Sequence, residues 1–298
     1  MDPQTALFQQ HRPRLFGLAY RMLGTPTDAE DVLHDAWLRW HNQDMAALDD
    51  AEAWLVTVTT RLALDRLRRA KTERQHYTGP WLPEPLIASD EEPESQLERS
   101  ESLNLSFLLL LERLSADERA AFLLRDVFDY SHAEAAAILG ITEDACRQRA
   151  HRAKQRLREG RPRFSYEPAA QQHLLEKFMH ALQEPTPEVL KALFAADAVH
   201  LSDGGGVVRA ALRPLHGSER LVQLYTKVAQ RYRESNAVHR LQWLNGSPAL
   251  FTWIDATLVT VSWIETDQQQ IVAIHSLRHP QKLARIHRAV TFALGDAS

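Results

Sequence analysis

The feature that most restricts the fold of this chain is the segment SHAEAAAILGITEDACRQRAHRAKQRL, residues 131–157. Ser131 and Glu134 predict a capping box at the start of a short helix. Gly140 ends that helix, and Thr142 caps a second helix after a tight turn. The second helix carries an apolar stripe at helical spacing, formed by Cys146, Ala150, Ala153 and Leu157. The segment therefore predicts a helix-turn-helix.

The face opposite to that stripe is strongly basic and suits nucleic acid. A DNA major groove admits one helix, and long cationic side chains on such a helix reach phosphates and the acceptor edge of guanine. The alternative is a solvated basic helix that has no partner. The candidate DNA-contacting residues are Thr142, Arg147, Gln148, Arg149, Arg152 and Lys154.

A second basic helix is predicted over residues 51–75, AEAWLVTVTTRLALDRLRRAKTERQ. Its first half is apolar and rich in threonine, and its second half is cationic. An aromatic, hydroxyl-bearing surface beside a phosphate-binding end suits opened or single-stranded DNA. The alternative is a basic C-terminal turn that only compensates the helix dipole.

The helix predicted over residues 28–40 is acidic, and a Thr27–Glu30 capping box is expected to start it. Carboxylates precede two tryptophans on this helix, a composition that does not suit DNA. We interpret the helix as a protein-binding face.

Helical periodicity makes the first half of the chain all-α. The predicted helices span about residues 4–23, 28–40, 51–75, 98–113, 116–128, 132–139 and 143–158. Prolines and an acidic run in residues 77–97 cannot continue a helix, so we expect a semi-rigid, extended linker there. A further boundary is expected at residues 161–168, RPRFSYEP.

Beyond that boundary the periodicity changes. Helices are predicted at about residues 169–183 and 187–195, and a third runs through Leu221 and Tyr232. Period-2 alternation then predicts strands at residues 259–263 and 271–277. The second half is therefore expected to be α+β, with helices on one curved antiparallel sheet.

Composition limits the remaining classes. The 298 residues are enough for two or three domains, and the single cysteine excludes an internal disulfide framework. The start of the chain has no apolar signal region, and no stretch approaches the ~18 apolar residues that span a bilayer, so we expect a cytoplasmic protein without a membrane partner. No Walker A loop, dinucleotide fingerprint or metalloprotease motif occurs, so neither a cofactor nor a metal is predicted.

Several motifs together resemble a known family. DAEDVLHDAWLRW, the helix ending LDRLRRAKTER and the helix-turn-helix resemble the two conserved modules of extracytoplasmic-function (ECF) sigma factors, which are promoter-specificity subunits of bacterial RNA polymerase. YTGPWLPEPL at 77–86, DGGG at 203–206 and HPQKL at 279–283 are similar to motifs of a subgroup of that family. In this subgroup a SnoaL-like domain of the nuclear-transport-factor-2 superfamily is fused to the C-terminus.

The resemblance implies a domain order and three sets of site residues. Residues 1–76 would be sigma region 2, residues 98–163 sigma region 4, and residues 168–298 the SnoaL-like domain. The residues above on the second helix of the helix-turn-helix would read the −35 element. Those that would capture the melted −10 element are Trp54, Thr57, Thr60, Arg61, Arg66, Arg68 and Arg69. Those that would dock on core RNA polymerase are Asp28, Asp31, Asp35, Trp37 and Arg39.

The resemblance also implies regulation in cis by the C-terminal domain. Trp81 is a large apolar side chain in a proline-stiffened linker, where it would be poorly solvated unless it docks in a pocket. The expected regulatory residues are Trp81, Leu82, Pro83, Glu84, Pro85, Asp203, Gly204, Gly205, Gly206 and Lys282. Val207, His279 and Gln281 depart from the residues usual in the subgroup.

Two alternatives remain beside a sigma factor that binds core polymerase and promoter DNA. One is a SnoaL-like cyclase or isomerase fused to a DNA-binding module, although no spacing selects an acid–base pair among its candidates. These candidates are His200, Asp203, His216, His239, Asp255 and His275. The other is an ordinary activator or repressor, which would need neither the acidic helix nor the second basic helix. A small molecule in a C-terminal pocket is a further candidate partner.

Overall fold

The computed structural model describes residues 2–45, 48–86, 104–159 and 168–295. The chain divides into two compact units. The N-terminal unit comprises the residues up to Gln75, the short stretch Pro83–Leu86, and the described residues 104–159. The C-terminal unit comprises His76–Leu82 and the described residues from 168 onward. None of the described helices is long and apolar enough to cross a membrane.

The N-terminal unit begins with three helices, α1 (Pro3–Leu23), α2 (Pro26–His41) and α3 (Ala51–Arg74). The expected Thr27–Glu30 capping box is wrong. Thr25 is the N-cap of α2, and its hydroxyl accepts a hydrogen bond from the Asp28 amide at 3.3 Å. The cap lies earlier because Pro26 has no amide hydrogen and fits the first helical position.

The second part of this unit comprises α4 (Leu105–Leu111), α5 (Ala116–Phe122), α6 (His132–Leu139) and α7 (Glu143–Glu159). The predicted capping box at Ser131 is confirmed, and Ser115 forms a second one with Glu118. The helix expected to run to residue 128 changes at Leu123–Val127 into a π-helical turn. Residues 98–103 of the predicted fourth helix, and residues 87–97 of the predicted linker, lie outside the described residues.

A buried ion cluster ties the two groups of helices in this unit together. Arg119 is 1 % exposed, donates to the carbonyls of Leu111 and Met22 at 2.9 Å, and pairs with Glu112 at 2.6 Å. Arg74, at the end of α3, binds the other oxygen of Glu112 at 2.6 Å. Burial by itself would raise the pKa of Glu112, but the charges of Arg119 and Arg74 lower it overall. The packing of α3 on the second part of the unit therefore includes paired charges.

The C-terminal unit is α+β, as the sequence predicts. Its elements are α8 (Pro168–Gln183), α9 (Pro187–Leu193), β1 (Phe194–Asp203), β2 (Leu215–His216), α10 (Ser218–Glu234), β3 (Val238–Leu244), β4 (Ser247–Ile254), β5 (Thr257–Thr266), β6 (Ile271–Leu277) and α11 (Pro280–Gly295). The helix expected over residues 187–195 ends at Leu193, because Phe194 opens β1.

The six described strands form one sheet in the order β2-β1-β6-β5-β4-β3. The expectation of a purely antiparallel sheet is wrong at one position, since β1 and β6 pair in parallel. A parallel pair requires a long crossover, which the chain between β1 and β6 provides. The apolar core lies between α8, α9 and α10 and one face of the sheet, where the rings of Phe178 and Tyr225 meet edge to face at 4.8 Å.

Candidate nucleic-acid interface and linker clamp

The second helix of the helix-turn-helix, α7, buries the predicted apolar stripe. Cys146, Ala150, Ala153 and Leu157 are all buried. Burial raises the pKa of the Cys146 thiol, which marks it as a packing residue. Thr142 caps the helix by accepting from the Ala145 amide at 3.2 Å.

The basic side chains of α7 lie on its outer face, and carboxylates of the same unit pair with them. Arg147 binds Glu143 at 2.7 Å, and Lys154 binds Asp126 at 2.5 Å. Arg152 contacts Glu118 at 3.4 Å, and Gln148 is exposed. Partly exposed ion pairs of this kind contribute little stability, so phosphates can replace the carboxylates at low cost.

The predicted −10 arginines on α3 differ in their partners. The Arg61 Nε donates to the Ile138 carbonyl at 3.0 Å, at the end of α6. Arg66 pairs with Asp28 at 2.9 Å and with Glu73 at 3.2 Å. Arg69 is exposed and has no hydrogen-bond or ion-pair partner among the described residues.

The uncharged residues of the predicted −10 set differ in accessibility. The Trp54 ring is half-buried, 5.6 Å from the Trp40 ring. The Thr57 hydroxyl donates to the Ala53 carbonyl at 2.7 Å. Thr60 is 0 % exposed, because it lies on the face of α3 that packs into the core of the unit. A DNA contact by Thr60 is incompatible with this conformation.

One carboxylate joins the two basic helices. Asp117, in the first turn of α5, binds Arg68 of α3 at 2.8 Å and Arg149 of α7 at 3.4 Å. Arg68 belongs to the predicted −10 set and Arg149 to the predicted −35 set. In this conformation both arginines are held by an internal acid.

The acidic helix α2 presents only part of its predicted docking face. Asp31, Asp35 and Arg39 are exposed, beside an exposed Leu38. Trp37 packs edge to face on Phe8, with ring centroids 5.1 Å apart. Asp28 is instead tied to Arg66, so the available surface begins one turn later than the sequence indicates.

The C-terminal unit contains a cluster that we call the linker clamp, formed by Asp203, Lys282, Tyr77, Trp81 and Leu82. Asp203 is 0 % exposed and accepts from the Tyr77 hydroxyl at 2.6 Å, the Leu82 amide at 3.0 Å and the Lys282 ammonium at 2.9 Å. Lys282 also donates to the Leu82 carbonyl at 2.6 Å and lies 4.4 Å from the centre of the Trp81 ring. The clamp therefore binds residues 77–82 through a buried ion pair.

The remainder of the WLPEP motif packs in the N-terminal unit. The Glu84 amide donates to the Gly24 carbonyl at 2.8 Å, and the Tyr20 hydroxyl donates to the Glu84 carbonyl at 2.7 Å. Pro83 and Pro85 are buried beside it. The first two residues of the motif thus belong to one unit and the last three to the other, and the backbones of Leu82 and Glu84 make polar contacts in their own units.

The DGGG turn follows β1 and depends on its glycines. Gly205 and Gly206 have φ of 62° and 72°, in the left-handed region. A Cβ on Gly205 would lie 2.0 Å from the His279 ring, and one on Gly206 would lie 2.9 Å from Thr78. Gly204 is equally confined, since a Cβ there would lie 2.7 Å from the Val208 carbonyl. Val207 is 68 % exposed and makes no part of the clamp.

The candidate catalytic residues do not converge. Among them only His200 lines the cavity of the C-terminal unit, and its Nδ1 lies 3.0 Å from the Tyr225 hydroxyl. His275 lies on the other face of the sheet, bound to Glu265 at 2.9 Å. His239 contacts Thr252, whereas His216 and Asp255 are exposed. The described residues contain no cluster of three potential metal ligands.

Burial sets the protonation of the His200–Tyr225 pair. Burial, with the charges of His275 and Arg278, lowers the pKa of His200 to about 4. Burial also raises the pKa of Tyr225. The pair is therefore neutral at physiological pH and forms a hydrogen bond rather than an ion pair.

Sequence reasoning missed three residues that contribute to these contacts. They are Tyr77 in the linker clamp, Asp117 between the basic helices, and Arg119 in the buried ion cluster. Tyr77 opens the YTGPWLPEPL motif, so its position was available as a signal. Asp117 and Arg119 lie in an ordinary helix start, and only the folded chain shows what they contact.

Comparison with known proteins identifies the class of both parts of the N-terminal unit. Residues 7–73 match the family of sigma-70 region 2, and residues 104–157 match the family of sigma-70 region 4. The two helical groups and their basic faces therefore define a sigma factor, the subunit that directs RNA polymerase to promoters.

Two relatives show which family of sigma factors the chain resembles. The ECF RNA polymerase sigma factor SigJ of Mycobacterium tuberculosis (strain ATCC 25618 / H37Rv) is 34% identical over 249 residues, 82% of this chain and 80% of that protein. The probable ECF RNA polymerase sigma factor SigI of the same strain is 29% identical over 285 residues, 95% of each chain. The chain belongs to the ECF RNA polymerase sigma factors. It acts in promoter recognition and transcription initiation, with core RNA polymerase and promoter DNA as its partners.

The similarity extends through the C-terminal unit. The crystal structure of the Mycobacterium tuberculosis extracytoplasmic function sigma factor SigJ has a TM-score of 0.76 at 29% identity and covers 94% of this chain and 98% of its own. The mixed sheet and its helices fit a SnoaL-like domain. The fold class, the family and the general function that the sequence indicated are thereby confirmed.

Proposed function

We propose that the C-terminal unit regulates this sigma factor in cis by holding the segment that connects its two DNA-binding modules. The observation that supports this is the linker clamp. Residues 77–82 leave region 2 directly after α3, and Asp203 and Lys282 bind them through a buried ion pair. Whatever loosens or tightens that clamp changes the freedom of the connection between regions 2 and 4.

In this proposal the state of the N-terminal unit described above is a closed state. Arg66 and Arg68 of the predicted −10 set and the arginines of the predicted −35 set pair with internal carboxylates, most directly through Asp117. Promoter DNA offers phosphates in exchange for those carboxylates. Opening the contact between α3 and α5 would present both basic sets, and the clamp would bias this two-state equilibrium.

Transcription with core polymerase tests the regulatory proposal. Trp81→Ala removes the ring that covers Lys282, whereas Trp243→Ala removes an exposed tryptophan on β3 and serves as the matched control. We expect the first variant to change the yield from a cognate promoter, upward if the clamp restrains opening and downward if it positions the modules. Equal yields from Trp81→Ala, Trp243→Ala and the unsubstituted chain would contradict regulation through the clamp.

We further propose that α7 reads the −35 element, with Arg147 and Arg149 as principal contacts beside Thr142, Gln148, Arg152 and Lys154. The support is their place on the outer face of a capped helix whose inner face is buried. Loss of a base-contacting arginine should cost about 1 to 3 kcal/mol of promoter affinity, and loss of a phosphate contact should reduce the salt slope by about one. Arg147→Ala/Arg149→Ala should do both, and an unaltered affinity and salt slope would show that the helix is misassigned.

For the other two surfaces we propose a reduced set of residues. On α3, the arginines at 61, 66, 68 and 69 with Trp54 and Thr57 capture the −10 strand, without Thr60. On α2, core polymerase docks on the exposed Asp31, Asp35 and Arg39. Asp31→Lys/Asp35→Lys should weaken co-purification with core polymerase, because it reverses the charge of that face without touching the core. Unchanged co-purification would exclude this face.

We propose that the C-terminal unit binds a small molecule rather than transforming one. Its cavity has one imidazole, neutral at physiological pH, and no carboxylate among its described lining residues to act with it as an acid or base. Conversion of a cavity ligand by the full-length chain, detected by mass spectrometry, would contradict this.

A further inference from the structure

The cavity in the C-terminal unit has a volume of about 460 Å³ and lies between α8, α10 and the sheet. A cavity of this size accommodates a molecule of drug-like dimensions. One part of its wall is apolar, formed by Phe178, Leu182, Leu224, Val228, Leu250 and Val259. This part favours an aliphatic or aromatic body.

A second part of the wall consists of neutral hydrogen-bonding groups on the strands. The hydroxyls of Ser262 and Ser276 bond to each other at 2.9 Å, and His200 bonds to Tyr225 at 3.0 Å. Because these groups are already paired with one another and uncharged, they do not demand a charged ligand.

All charged side chains described in the cavity wall are basic. Arg209, Lys227, Arg231 and Arg278 line the cavity, and none of its described lining residues is Asp or Glu. Arg209, Lys227 and Arg231 are exposed and lie toward solvent, whereas Arg278 is half-buried. The Arg278 Nη1 donates to the Arg209 carbonyl, but its Nε is buried and has no hydrogen-bond partner among the described residues. A buried donor on a cation without an acceptor is costly, and an anion would satisfy it.

We propose that this cavity binds an amphipathic organic anion, a carboxylate with an aliphatic or aromatic body, with Arg278 as the partner of the carboxylate. The apolar wall takes the body, and Arg209, Lys227 and Arg231 make the approach favourable for a negative charge. The inference deepens the proposed regulatory function by giving the chemical class of its signal.

The anion site is directly connected to the linker clamp. The Arg278 amide donates to the Asp203 carbonyl at 2.8 Å, and Asp203 carries the clamp carboxylate. The loop that brings Arg209 to Ala211 into the cavity wall also approaches the linker, since a Cβ on Gly79 would lie 3.7 Å from the Leu212 Cα. A ligand on Arg278 therefore lies one hydrogen bond away from the residues that hold the linker.

Matched acid and alcohol probes test the binding claim on the full-length chain. Decanoate and decanol share an aliphatic body, and naphthoate and naphthalenemethanol share an aromatic one. Comparison of the two pairs shows whether the cavity prefers an aliphatic or an aromatic body. Calorimetric titration should show the preferred acid binding about 10- to 100-fold more tightly than its alcohol, the difference expected for a hydrogen bond to a charged group.

Three variants locate the site. Arg278→Gln should abolish the preference for the acid, whereas Arg240→Gln, which removes an exposed arginine of β3 outside the cavity wall, should retain it. Leu224→Trp narrows the apolar wall and should weaken acid and alcohol together, so the test does not depend on Arg278→Gln alone.

The outcomes separate this inference from the regulatory proposal. No binding of either acid, equal binding of acid and alcohol, or an acid preference that survives Arg278→Gln would each overturn the anion site. Binding that follows the pattern above supports the anion site even if the same acid leaves transcription unchanged. That result would count against the acid as the regulatory signal, whereas regulation through the clamp is decided separately by Trp81→Ala.

Discussion

Replacing Asp203 with asparagine should release the linker from the C-terminal unit. Asp203 accepts from Tyr77, Leu82 and Lys282, and also from the Gly205 amide at 3.1 Å. An asparagine side chain has the same shape as an aspartate but only one accepting oxygen, and its amide group would face donors. The substitution also leaves the buried Lys282 without its counter-ion.

The magnitude follows from what Lys282 retains. Breaking a buried ion pair by removing one partner costs about 3 to 5 kcal/mol. Lys282 still donates to the Leu82 carbonyl at 2.6 Å and lies over the Trp81 ring, so we expect the lower end, about 3 kcal/mol. That free energy corresponds to an increase of about a hundredfold in the opening equilibrium of the clamp.

Hydrogen exchange measures this opening directly, because the Leu82 amide donates to Asp203. Its exchange in the full-length chain should accelerate by about a hundredfold in Asp203→Asn. Asp203→Asn/Lys282→Met removes both charges and should recover part of the protection, since neutral replacement of a buried pair is often tolerated. Glu219→Gln breaks only an exposed pair with Lys191, at 4.0 Å, and should leave Leu82 unchanged.

An exchange rate of the Leu82 amide in Asp203→Asn equal to that in the unsubstituted chain would refute the reasoning. If the Leu82 amide exchanged faster in Asp203→Asn/Lys282→Met than in Asp203→Asn, the unpaired charge of Lys282 would not be the cause of the opening.

Two further predictions concern DNA binding and pH. Asp117→Asn frees Arg68 and Arg149 from a partly exposed carboxylate, so it should change the free energy of unfolding by less than about 1 kcal/mol while strengthening DNA binding by the free sigma factor and steepening its salt dependence. Unaltered DNA affinity across a salt titration would argue against the closed state. Burial lowers the pKa of His200 from 6.5 to about 4, so on acidification the unfolded chain binds a proton at this histidine before the folded chain does. The contribution of His200 to the free energy of unfolding should therefore be fully present above pH 6.5 and fall by about 3 kcal/mol as the pH drops toward 4. His200→Asn, which can still contact Tyr225, should flatten this acid-side slope in thermal unfolding, and a slope identical to that of the unsubstituted chain would contradict the assignment.

The sequence by itself determined the local elements of the DNA-binding half. Capping residues and helical spacing are short-range signals, so the ends of α6 at residues 132 and 139 and the start of α7 at residue 143 agree with the prediction. The buried stripe of α7 follows from the same periodicity. The family resemblance rests on such contiguous motifs, and for this reason it could be read from the chain.

The motifs of the second half were visible as sequence, but their chemistry was not. Asp203 and Lys282 are separated by 79 positions, and the sequence around each is typical of an ordinary turn or helix start. The parallel pairing of β1 with β6 brings the end of β1 beside the chain that leads into α11, and this places the two side chains in contact. No local pattern encodes a pairing between strands so distant in sequence.

Tertiary structure alone also decided which charged residues are available. Along α3, Arg69 has no hydrogen-bond or ion-pair partner among the described residues, whereas Arg61, Arg66 and Arg68 are engaged, although all four have the same amphipathic signal in the sequence. The availability of each arginine depends on which partner from elsewhere in the chain reaches it. The physical reason is that capping and periodicity act within a few residues, whereas ion pairing, burial and the shape of a cavity depend on contacts that exist only once the whole chain has folded.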